Sequence, residues 1–542
     1  MAPPGILLVT MQPKPALPLD QFHEWYNNEH GPTRLRMPDI FSNGLRYRAT
    51  DAETPEYMAV YDVTSMHHLE TDRYTTLRAN RSQREAATIA QVDVVRYFYD
   101  LLHTKQAQDF AGPEHLTDAE ALGRVAVAVQ ITPTDAPGAA DAYTKWYTEE
   151  HAEMLSRVPG WLRSRLFKTS SLEANGPKDA FFALHDYAAI NGLGGPEHRA
   201  SMDTPWRTDV FGKYVASKGR RTYSLFYVFG PAPRELSSLS RLPASAGFTS
   251  ADGKTTTTPG PGAAVVSSNI TTPDSLSIPY RLEGNPDPGA PTVAFCNSLL
   301  TSLHMWDPLV AILKKHRPDL RILRYDTRGR HAVPAPPRAA TLDTVTADLA
   351  AVLDALRIPR LDVLVGVSMG GATTLSFALR HPGRVGRFVA CDFNVTSSAA
   401  NTQAWRERIA MARGDNGEGI KTLAGQTVAR WFHPSTMEKD GGAVARWMTD
   451  MVAGNDVEGF AHSCTALWDY DLKAGMGACE VPGLFVVGEG DGKGALVRAM
   501  DGFRGLLGGG DGAAELRVVP NAGHLPMCEE PEKFWEAIES FL

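Results

Sequence analysis

The chain has 542 residues, which is too long for one hydrophobic core, because single cores stop growing at roughly 250 to 300 residues. Its composition, 43% hydrophobic and 21% charged, is ordinary for a folded protein in water and excludes a disordered or membrane class. The net charge of −8 argues against a nucleic-acid or anionic-membrane binder, which needs a concentrated basic face. We expect two or three domains and a small molecule as the partner.

Cysteine placement and the N-terminal residues bear on compartment and cofactors. All five cysteines lie in the second half without a CxxC pair, so neither a disulfide framework nor a zinc site is predicted. The N-terminal stretch has no basic region, and no part of the chain approaches a run of roughly 18 apolar residues. We therefore expect a cytoplasmic protein that binds no metal and no cofactor.

An internal repeat fills the first 230 residues. One copy carries HEWYNNEHGP from His23 and the other TKWYTEEHAE from Thr144, so WY-x-x-EH recurs after 121 residues. An apolar strand pattern precedes each motif, and alternating segments, a polar helical stretch and a closing strand follow it. Each copy, 1–115 and 116–230, therefore has the βαββαβ order of a ferredoxin-like unit, and two such units commonly pack as an α+β barrel.

These repeats, with WYxxEH followed by a proline-bearing segment, resemble the EthD-like, dimeric α/β-barrel superfamily, and muconolactone isomerases have similar barrels. The resemblance implies cofactor-free proton transfer, for which His30 with Glu29 and His151 with Glu150 are the candidates. The alternative is that WYxxEH is a packing signature, with the Glu-His pair bonding across the pseudo-twofold axis. Because one chain supplies both copies, a further oligomer is possible but not required.

The segment 231–262 is rich in Pro, Ser, Thr and Gly without apolar periodicity, which is typical of a linker. Beyond it, in 263–542, apolar strand-like runs alternate with helical stretches, as in a parallel sheet wrapped by helices. The expected fold class is therefore multidomain: a tandem ferredoxin-like α/β barrel (α+β) followed by an α/β domain.

The strongest chemical motif is GVSMG, in which Ser368 stands between Gly366 and Gly370. An apolar strand pattern precedes it and a helical pattern follows. A nucleophile elbow requires this context, since the serine occupies a strained turn between strand and helix. Ser368 is the predicted nucleophile.

A serine nucleophile needs a histidine to take its proton and an acid to orient that histidine. The histidine is predicted to be His524, in a glycine-flanked loop before the last helix. The acid is predicted to be Asp491, which follows the strand pattern LFVV, whereas Glu489 comes too early in that loop. Asp392, at the end of the preceding strand pattern, is the competing acid.

Acyl transfer also needs donors for the developing oxyanion. Backbone amides supply them in this kind of site: one from Met369, which follows the nucleophile, and one from the loop after the strand pattern TVAFC. Leu299 is the candidate in that loop.

The runs FCNSLLTSLHMWDP, LRYDTRGR, GVSMGG, ARWFHP, EGFAHSCTALWDYDL, VVGEGD and NAGHLP resemble 3-oxoadipate enol-lactone hydrolases in the same order. The resemblance extends over 263–542 and includes a helical lid at about 401–468. It implies an α/β-hydrolase fold and a Ser-His-Asp lactonase, a carboxylic ester hydrolase, acting on a carboxylate-bearing lactone. Arg328, Arg430 and Trp431 are the candidate substrate contacts.

Two departures from that family concern the mouth of the site. Arg330-His331-Ala332 stands where relatives usually have a His-Gly pair, and the acid loop reads GDGKG without the usual Thr-Pro.

A fusion of an isomerase-like barrel with an enol-lactonase suggests a two-step role in aromatic catabolism: isomerisation or decarboxylation of a muconolactone or carboxymuconolactone, then hydrolysis. The alternative is an ester or thioester hydrolase of polyketide-type secondary metabolism, with the barrel as a binding or tailoring module. A non-enzymatic scaffold is a third interpretation, which the complete Ser, Asp, His set disfavours.

Overall fold

The computed structural model describes residues 2–173, 180–415, 418–508 and 514–542. The chain divides into two compact units, Met1–Pro233 and Arg234–Leu542. Each unit has its own sheet and core.

The first unit is built from two copies of the βαββαβ order expected from the repeat. Its strands are β1 (Gly5–Pro13), β2 (Leu45–Ala49), β3 (Tyr57–Val63), β4 (Val92–Gln106), β5 (Val125–Pro133), β6 (Trp161–Thr169), β7 (Phe181–Tyr187) and β8 (Val215–Val228). Its helices are α1 (Leu19–Trp25), α2 (Gly31–Leu35), α3 (Asp72–Ala79), α4 (Gln83–Ile89), α5 (Asp118–Ala121), α6 (Ala139–Trp146), α7 (Ala152–Leu155), α8 (Pro196–Met202) and α9 (Pro205–Tyr214).

These strands form a closed antiparallel barrel in the order β1-β3-β2-β8-β5-β7-β6-β4. The first repeat contributes the run β4-β1-β3-β2 and the second the run β8-β5-β7-β6, and the pairs β2–β8 and β4–β6 join them. The kinship of this barrel with EthD-like or ferredoxin-like proteins stays a prediction.

The two faces of the barrel strands bury different cores, because successive side chains of a strand point to opposite faces. In β1, Ile6 and Leu8 join the cluster that fills the barrel interior, whereas Leu7 and Val9 join the cluster that packs against the helices. The WYxxEH motifs lie on the helical side, where each continues its helix as a π-helical turn, Tyr26–His30 after α1 and Tyr147–His151 after α6. Any site at these motifs is therefore outside the barrel interior.

The second unit is an α/β sheet covered by helices. Its strands are β9 (Phe248–Thr249), β10 (Thr256–Thr258), β11 (Val265–Thr271), β12 (Ser277–Gly284), β13 (Thr292–Cys296), β14 (Arg321–Tyr325), β15 (Leu361–Val367), β16 (Val385–Cys391), β17 (Gly483–Gly488) and β18 (Glu515–Val519). Its helices are α10 (Ser237–Ser240), α11 (Asp307–His316), α12 (Leu342–Ala355), α13 (Met369–Arg380), α14 (Ala399–Arg413), α15 (Gly419–Trp431), α16 (Pro434–Glu438), α17 (Ala443–Ala453), α18 (Val457–Cys464), α19 (Lys473–Met476), α20 (Ala495–Arg504), α21 (Pro526–Glu529) and α22 (Pro531–Ile538).

The sheet runs β18-β17-β16-β15-β13-β14-β12-β11-β10-β9. Its six strands from β18 to β14 are parallel, and the other four extend it antiparallel. The predicted lid, apart from residues 416–417, which lie outside the described residues, corresponds to the helices α14 to α18 inserted between β16 and β17. The carboxyl ends of the parallel strands, where open α/β sheets place their ligands, carry the candidate site.

The segment 231–262 differs from the expected linker, because from Arg234 onwards it belongs to the second unit. It contains α10, whose Leu239 is fully buried, and the strands β9 and β10, the latter paired with β11. A threonine-rich stretch without apolar periodicity resembles a linker in sequence. Because threonine side chains are β-branched, such a stretch also suits an edge strand.

Among the described residues, no helix combines the length and apolarity that crossing a bilayer requires.

Candidate active site

Ser368 lies in the turn between β15 and α13, with φ 60° and ψ −119°. Such a backbone costs a non-glycine residue on the order of 1–3 kcal/mol, and it persists only where the surroundings hold it. The Ser368 N–H donates to the carbonyl of Cys391 at 2.8 Å. A Cβ at Gly366 would overlap the carbonyl of Gly370, and a Cβ at Gly370 would overlap that of Cys296. Both glycines are therefore required by close backbone approaches, as a nucleophile elbow demands.

His524 and Asp491 meet although 33 residues separate them, with Nδ1 of the imidazole 2.7 Å from Oδ2 of the carboxylate. The carboxylate accepts, so Nδ1 carries the hydrogen and Nε2 is the basic nitrogen. The imidazole stacks on Trp431 at 5.4 Å between ring centroids, and the His524 N–H donates to the Trp431 carbonyl at 2.7 Å. The structure thus brings the predicted histidine to the predicted acid.

Glu529 anchors the loop that carries His524, a role that the sequence did not suggest. Its buried carboxylate accepts the backbone N–H groups of Gly523 at 2.9 Å, Leu525 at 3.1 Å and His433 at 2.7 Å. Burial raises the pKa of Glu529, and these three hydrogen bonds oppose the rise. The indication that the sequence offered for Glu529 was an acidic residue five positions after the loop histidine, His524.

Asp392, the competing acid, is buried beside the pair rather than bonded to the ring. Its Oδ1 accepts the N–H of Gly488 at 2.9 Å, and carboxylate or ring atoms of Asp392, Asp491 and His524 lie within 4.8 Å of one another. Burial first, and then the charge of Asp491, raises the pKa of Asp392 well above its usual value. A protonated Asp392 can donate to Asp491 but cannot supply the negative charge that an imidazolium needs.

Ser368, Asp491 and His524 line one cavity of about 500 Å³, within the range typical of ligand sites. Leu299 and Met369, the predicted oxyanion donors, also line it. The Leu299 loop is fixed from behind by Asn297, which donates to the Tyr325 carbonyl at 2.9 Å and accepts the indole N–H of Trp306 at 2.9 Å.

The structure differs from the prediction in which arginines of this unit line the cavity. Arg328 is a correction: its buried guanidinium is bidentate to Asp348, at 2.6 Å for each bond, and reaches Asp274 at 3.0 Å, so it is committed to internal ion pairs and does not line the cavity. A buried guanidinium needs such carboxylates. Arg430 does line the cavity, as does Arg408, which the sequence analysis missed.

Neither Arg408 nor Arg430 forms an ion pair within the described parts of the chain. Burial, and then the charge of Arg408, lowers the pKa of Arg430 to about 10, which leaves it cationic at neutral pH. The cavity therefore presents two guanidinium groups that have no ion-pair partner among the described residues. The only indication of Arg408 in the sequence was its spacing, within the helical pattern of α14, from the apolar residues of the lid.

The segment Arg330-His331, which departs from the family pattern, connects two parts of the cavity mouth. Arg330 donates to the carbonyls of Leu300, at 3.2 Å, and of Met451 in α17, at 3.0 Å. His331 Nε2 lies 2.6 Å from the carboxylate of Asp326. Arg330 therefore ties the Leu299 loop to the lid.

In the barrel, His30 and Glu150 of the two motifs bond to residues of their own repeats. Nδ1 of His30 lies 2.6 Å from Glu85, and Glu29 is buried beside it. Glu150 accepts from the Trp146 indole at 2.9 Å and the Thr204 hydroxyl at 2.7 Å. His151 is buried and lines a small cavity. An acid–base role for these four residues stays a prediction.

Comparison with known proteins matches residues 291–531 to a family model described as alpha/beta hydrolase fold. The 3-oxoadipate enol-lactonase 2 of Acinetobacter baylyi is 28% identical over 271 residues, 50% of this chain and 95% of that protein. The 3-oxoadipate enol-lactonase 1 of the same organism is 29% identical over 255 residues, 47% of this chain and 89% of that protein. The crystal structure of the enol-lactonase from Burkholderia xenovorans LB400 is 32% identical, with 49% of this chain and 96% of that chain covered and a TM-score of 0.43.

Proposed function

Residues 291–531 of this chain form an alpha/beta hydrolase, and we propose that this unit is a serine hydrolase that opens an enol-lactone of the 3-oxoadipate type. The observation that carries the proposal is the His524–Asp491 hydrogen bond in a cavity that also contains Ser368 and two unneutralised arginines. The sequence similarity to two 3-oxoadipate enol-lactonases supports the substrate class.

In the proposed mechanism, the Oγ of Ser368 attacks the lactone carbonyl while Nε2 of His524 takes the hydroxyl proton. Asp491 holds Nδ1–H and stabilises the imidazolium. The N–H groups of Leu299 and Met369 donate to the tetrahedral oxyanion, and one such donor is worth roughly 10² to 10³ in rate. The ring C–O bond then breaks and the enol oxygen takes the proton from His524.

The second half of the reaction releases the product. The enol tautomerises to a ketone, and His524 removes a proton from water, which attacks the acyl-enzyme. The proton returns to Ser368 as the free acid leaves. The ring-opened product carries one carboxylate more than the lactone, and a substrate that already bears a carboxylate complements Arg408 and Arg430.

The test is hydrolysis of 3-oxoadipate enol-lactone by the full chain, together with labelling by a fluorophosphonate probe. We expect Ser368→Ala to lose both, whereas Ser277→Ala, at an exposed serine of β12, keeps both. Cleavage of simple enol esters without reaction of the lactone would retain the serine hydrolase and overturn the substrate class. Labelling that survives Ser368→Ala would overturn the nucleophile.

We extend the proposal to the barrel as an isomerase or decarboxylase that delivers the enol-lactone, because each WYxxEH motif carries a buried histidine next to a glutamate, the residue types that cofactor-free proton transfer uses. Muconolactone and 3-carboxymuconolactone are the test substrates. If the barrel acts, Ser368→Ala accumulates enol-lactone from one of them. If neither lactone is consumed by the Ser368→Ala chain, the barrel does not catalyse this step.

A further inference from the structure

Helices α4 and α9 hold equivalent positions in the two repeats, each preceding the last strand of its repeat. Both begin at a hydroxyl N-cap: Ser82 accepts the N–H of Glu85 at 2.9 Å, and Thr204 accepts the N–H of Arg207 at 3.1 Å. The third residue of the helix is therefore a carboxylate in the first repeat and a guanidinium in the second. The internal duplication makes this a charge reversal at one structural position.

That position faces the motif histidine. In the first repeat, Nδ1 of His30 bonds to Glu85 at 2.6 Å. In the second repeat, the equivalent histidine, His151, is 7% exposed, and its Nδ1 has no hydrogen-bond partner within the described residues. A buried unsatisfied polar atom costs about 1–3 kcal/mol. Among the described residues, the second repeat has no counterpart of the acceptor that Glu85 provides in the first.

The surroundings of His151 favour an anion. Arg207, Lys218 and Arg220 line the same cavity, and the described residues of its lining include no aspartate or glutamate. None of the three forms an ion pair with another described residue. The first repeat has Val94 at the position of Lys218. The strand residues that pair with Val94, in β1, and with Lys218, in β5, are equivalent in the two repeats. At this position the second repeat therefore carries a charge and the first an apolar side chain.

The pKa values of these groups reflect their crowding. Burial, followed by the nearby His185, Arg207 and Lys218, lowers the pKa of His151 well below its usual value, whereas a hydrogen bond to the backbone carbonyl of Ser201 opposes the shift. An anion at Nδ1 would raise this pKa, because it favours the imidazolium, in which both ring nitrogens donate. Burial, followed by Arg207 and Arg220, also lowers the pKa of Lys218. A bound anion would relieve the repulsion among these cations.

The cavity is small, about 30 Å³, with room for a water-sized or carboxylate-sized group. Trp146 stacks on the ring of His151 at 4.5 Å between centroids, and the guanidinium of Arg207 lies over Phe211 at 4.3 Å. These contacts hold the ring and one cation in place at the cavity. The site therefore suits the head of a small anion.

We propose that the second repeat binds a carboxylate anion at Nδ1 of His151 beside Arg207, where the Glu85 carboxylate sits in the first repeat. The first repeat is closed by its own glutamate and takes no ligand. This site is separate from the hydrolase cavity and does not depend on the hydrolase assignment.

The test follows the imidazole resonances of the full-length protein, labelled with ¹⁵N-histidine, during titration with sodium acetate at constant ionic strength. Acetamide is the neutral control, and His151→Gln assigns the His151 signal. We expect acetate, and not acetamide, to shift the His151 signal in a saturable way. Arg207→Glu rebuilds the arrangement of the first repeat and should abolish the response.

Arg207→Gln and Lys218→Gln provide further checks if Arg207→Glu does not fold. Each removes one charge and should weaken acetate binding by about 10-fold, the effect of losing one charge-assisted contact. Lys145→Gln, at an exposed lysine of α6 in the same repeat, should leave it unchanged. The proposal is overturned if acetate leaves the His151 signal in place, or if the folded Arg207 variants respond as the parent does.

Discussion

At the scale of single residues, the surroundings of two aspartates distinguish the proposed acid from its competitor. Asp491 contacts Nδ1 of His524 at 2.7 Å. Asp392 is buried, bonds to the N–H of Gly488, and has its pKa raised by burial and by Asp491. A charged partner is needed to hold an imidazolium, whereas a neutral acid can be replaced by an amide of the same shape.

We predict that Asp491→Asn lowers kcat by roughly 10⁴, as expected when an amide stabilises the wrong imidazole tautomer. Asp392→Asn should change kcat by less than about 3-fold, since its side chain keeps an oxygen for Gly488 and a donor for Asp491. Steady-state kinetics with an enol-lactone or enol ester measure both. Equal losses in the two variants would transfer the acid role to Asp392.

The raised pKa of Asp392 also predicts a pH dependence of stability. The pKa is higher in the folded chain than its unfolded value of about 3.9, so folding takes up a proton and the free energy of unfolding falls as pH rises from about 4 to the folded-state pKa. Asp392→Asn removes that loss. Its Tm minus that of the parent should therefore increase as pH rises above about 4. A difference that does not depend on pH would mean that Asp392 is ionised in the folded state.

The arginines of the cavity predict charge selectivity. Arg430→Gln and Arg408→Gln should each raise KM for a carboxylate-bearing lactone by about 10- to 100-fold, because a hydrogen bond to a charged group contributes about 1.5–3 kcal/mol. A neutral enol ester should be cleaved as before. Arg406→Gln, at an exposed position of the same helix α14, is the matched control. Loss of activity on both substrates would indicate a structural role instead.

At the scale of secondary structure elements, the turn at Ser368 depends on how closely α13 approaches β13. The first turn of α13 passes so near the end of β13 that a side chain at Gly370 has no room beside the Cys296 carbonyl. The same approach brings Met369 and Leu299 to one cavity. The placement of the two predicted oxyanion donors therefore depends on helix–strand packing.

Gly370→Ala should destabilise the fold by about 1–3 kcal/mol, the usual cost of overpacking, and should lower kcat because the two donor loops are forced apart. Gly425→Ala is the control, since Gly425 lies within α15 with open space around it. That variant should gain up to about 1 kcal/mol from helix propensity. Thermal unfolding and kcat of both variants are the measurements. An unchanged Gly370→Ala enzyme would contradict the close packing.

At the scale of the whole molecule, the boundary between the units lies earlier than composition indicates. Residues from Arg234 belong to the second unit, with Leu239 buried and β10 paired to β11. A fragment 234–542 keeps these contacts, whereas 263–542 exposes the edge of β11 and the surface that covers Leu239. Exposed edges of this kind also promote aggregation.

We predict that the fragment 234–542 unfolds cooperatively and cleaves enol esters at the rate of the full chain. The fragment 263–542 should melt several degrees lower, because burying Leu239 and its neighbours contributes about 1.5–3 kcal/mol per large apolar side chain. Calorimetry and esterase kinetics compare the two. Identical Tm values would show that the segment 234–262 is the linker its composition resembles.

The sequence by itself determined what depends on contiguous residues: the duplication and its βαββαβ order, the strand, GVSMG and helix succession at Ser368, and the loop that carries His524. Each is a local pattern of turn, strand and helix formers, so the chain order alone specifies it. Only the tertiary structure decided which of two acids meets His524, that Arg408 and not Arg328 faces the cavity, and that Arg207 stands where the first repeat has Glu85. These outcomes depend on side chains far apart in sequence coming within a few ångströms, and on burial that sets their charge. A pattern of residue types along the sequence contains neither the distances between such side chains nor their burial.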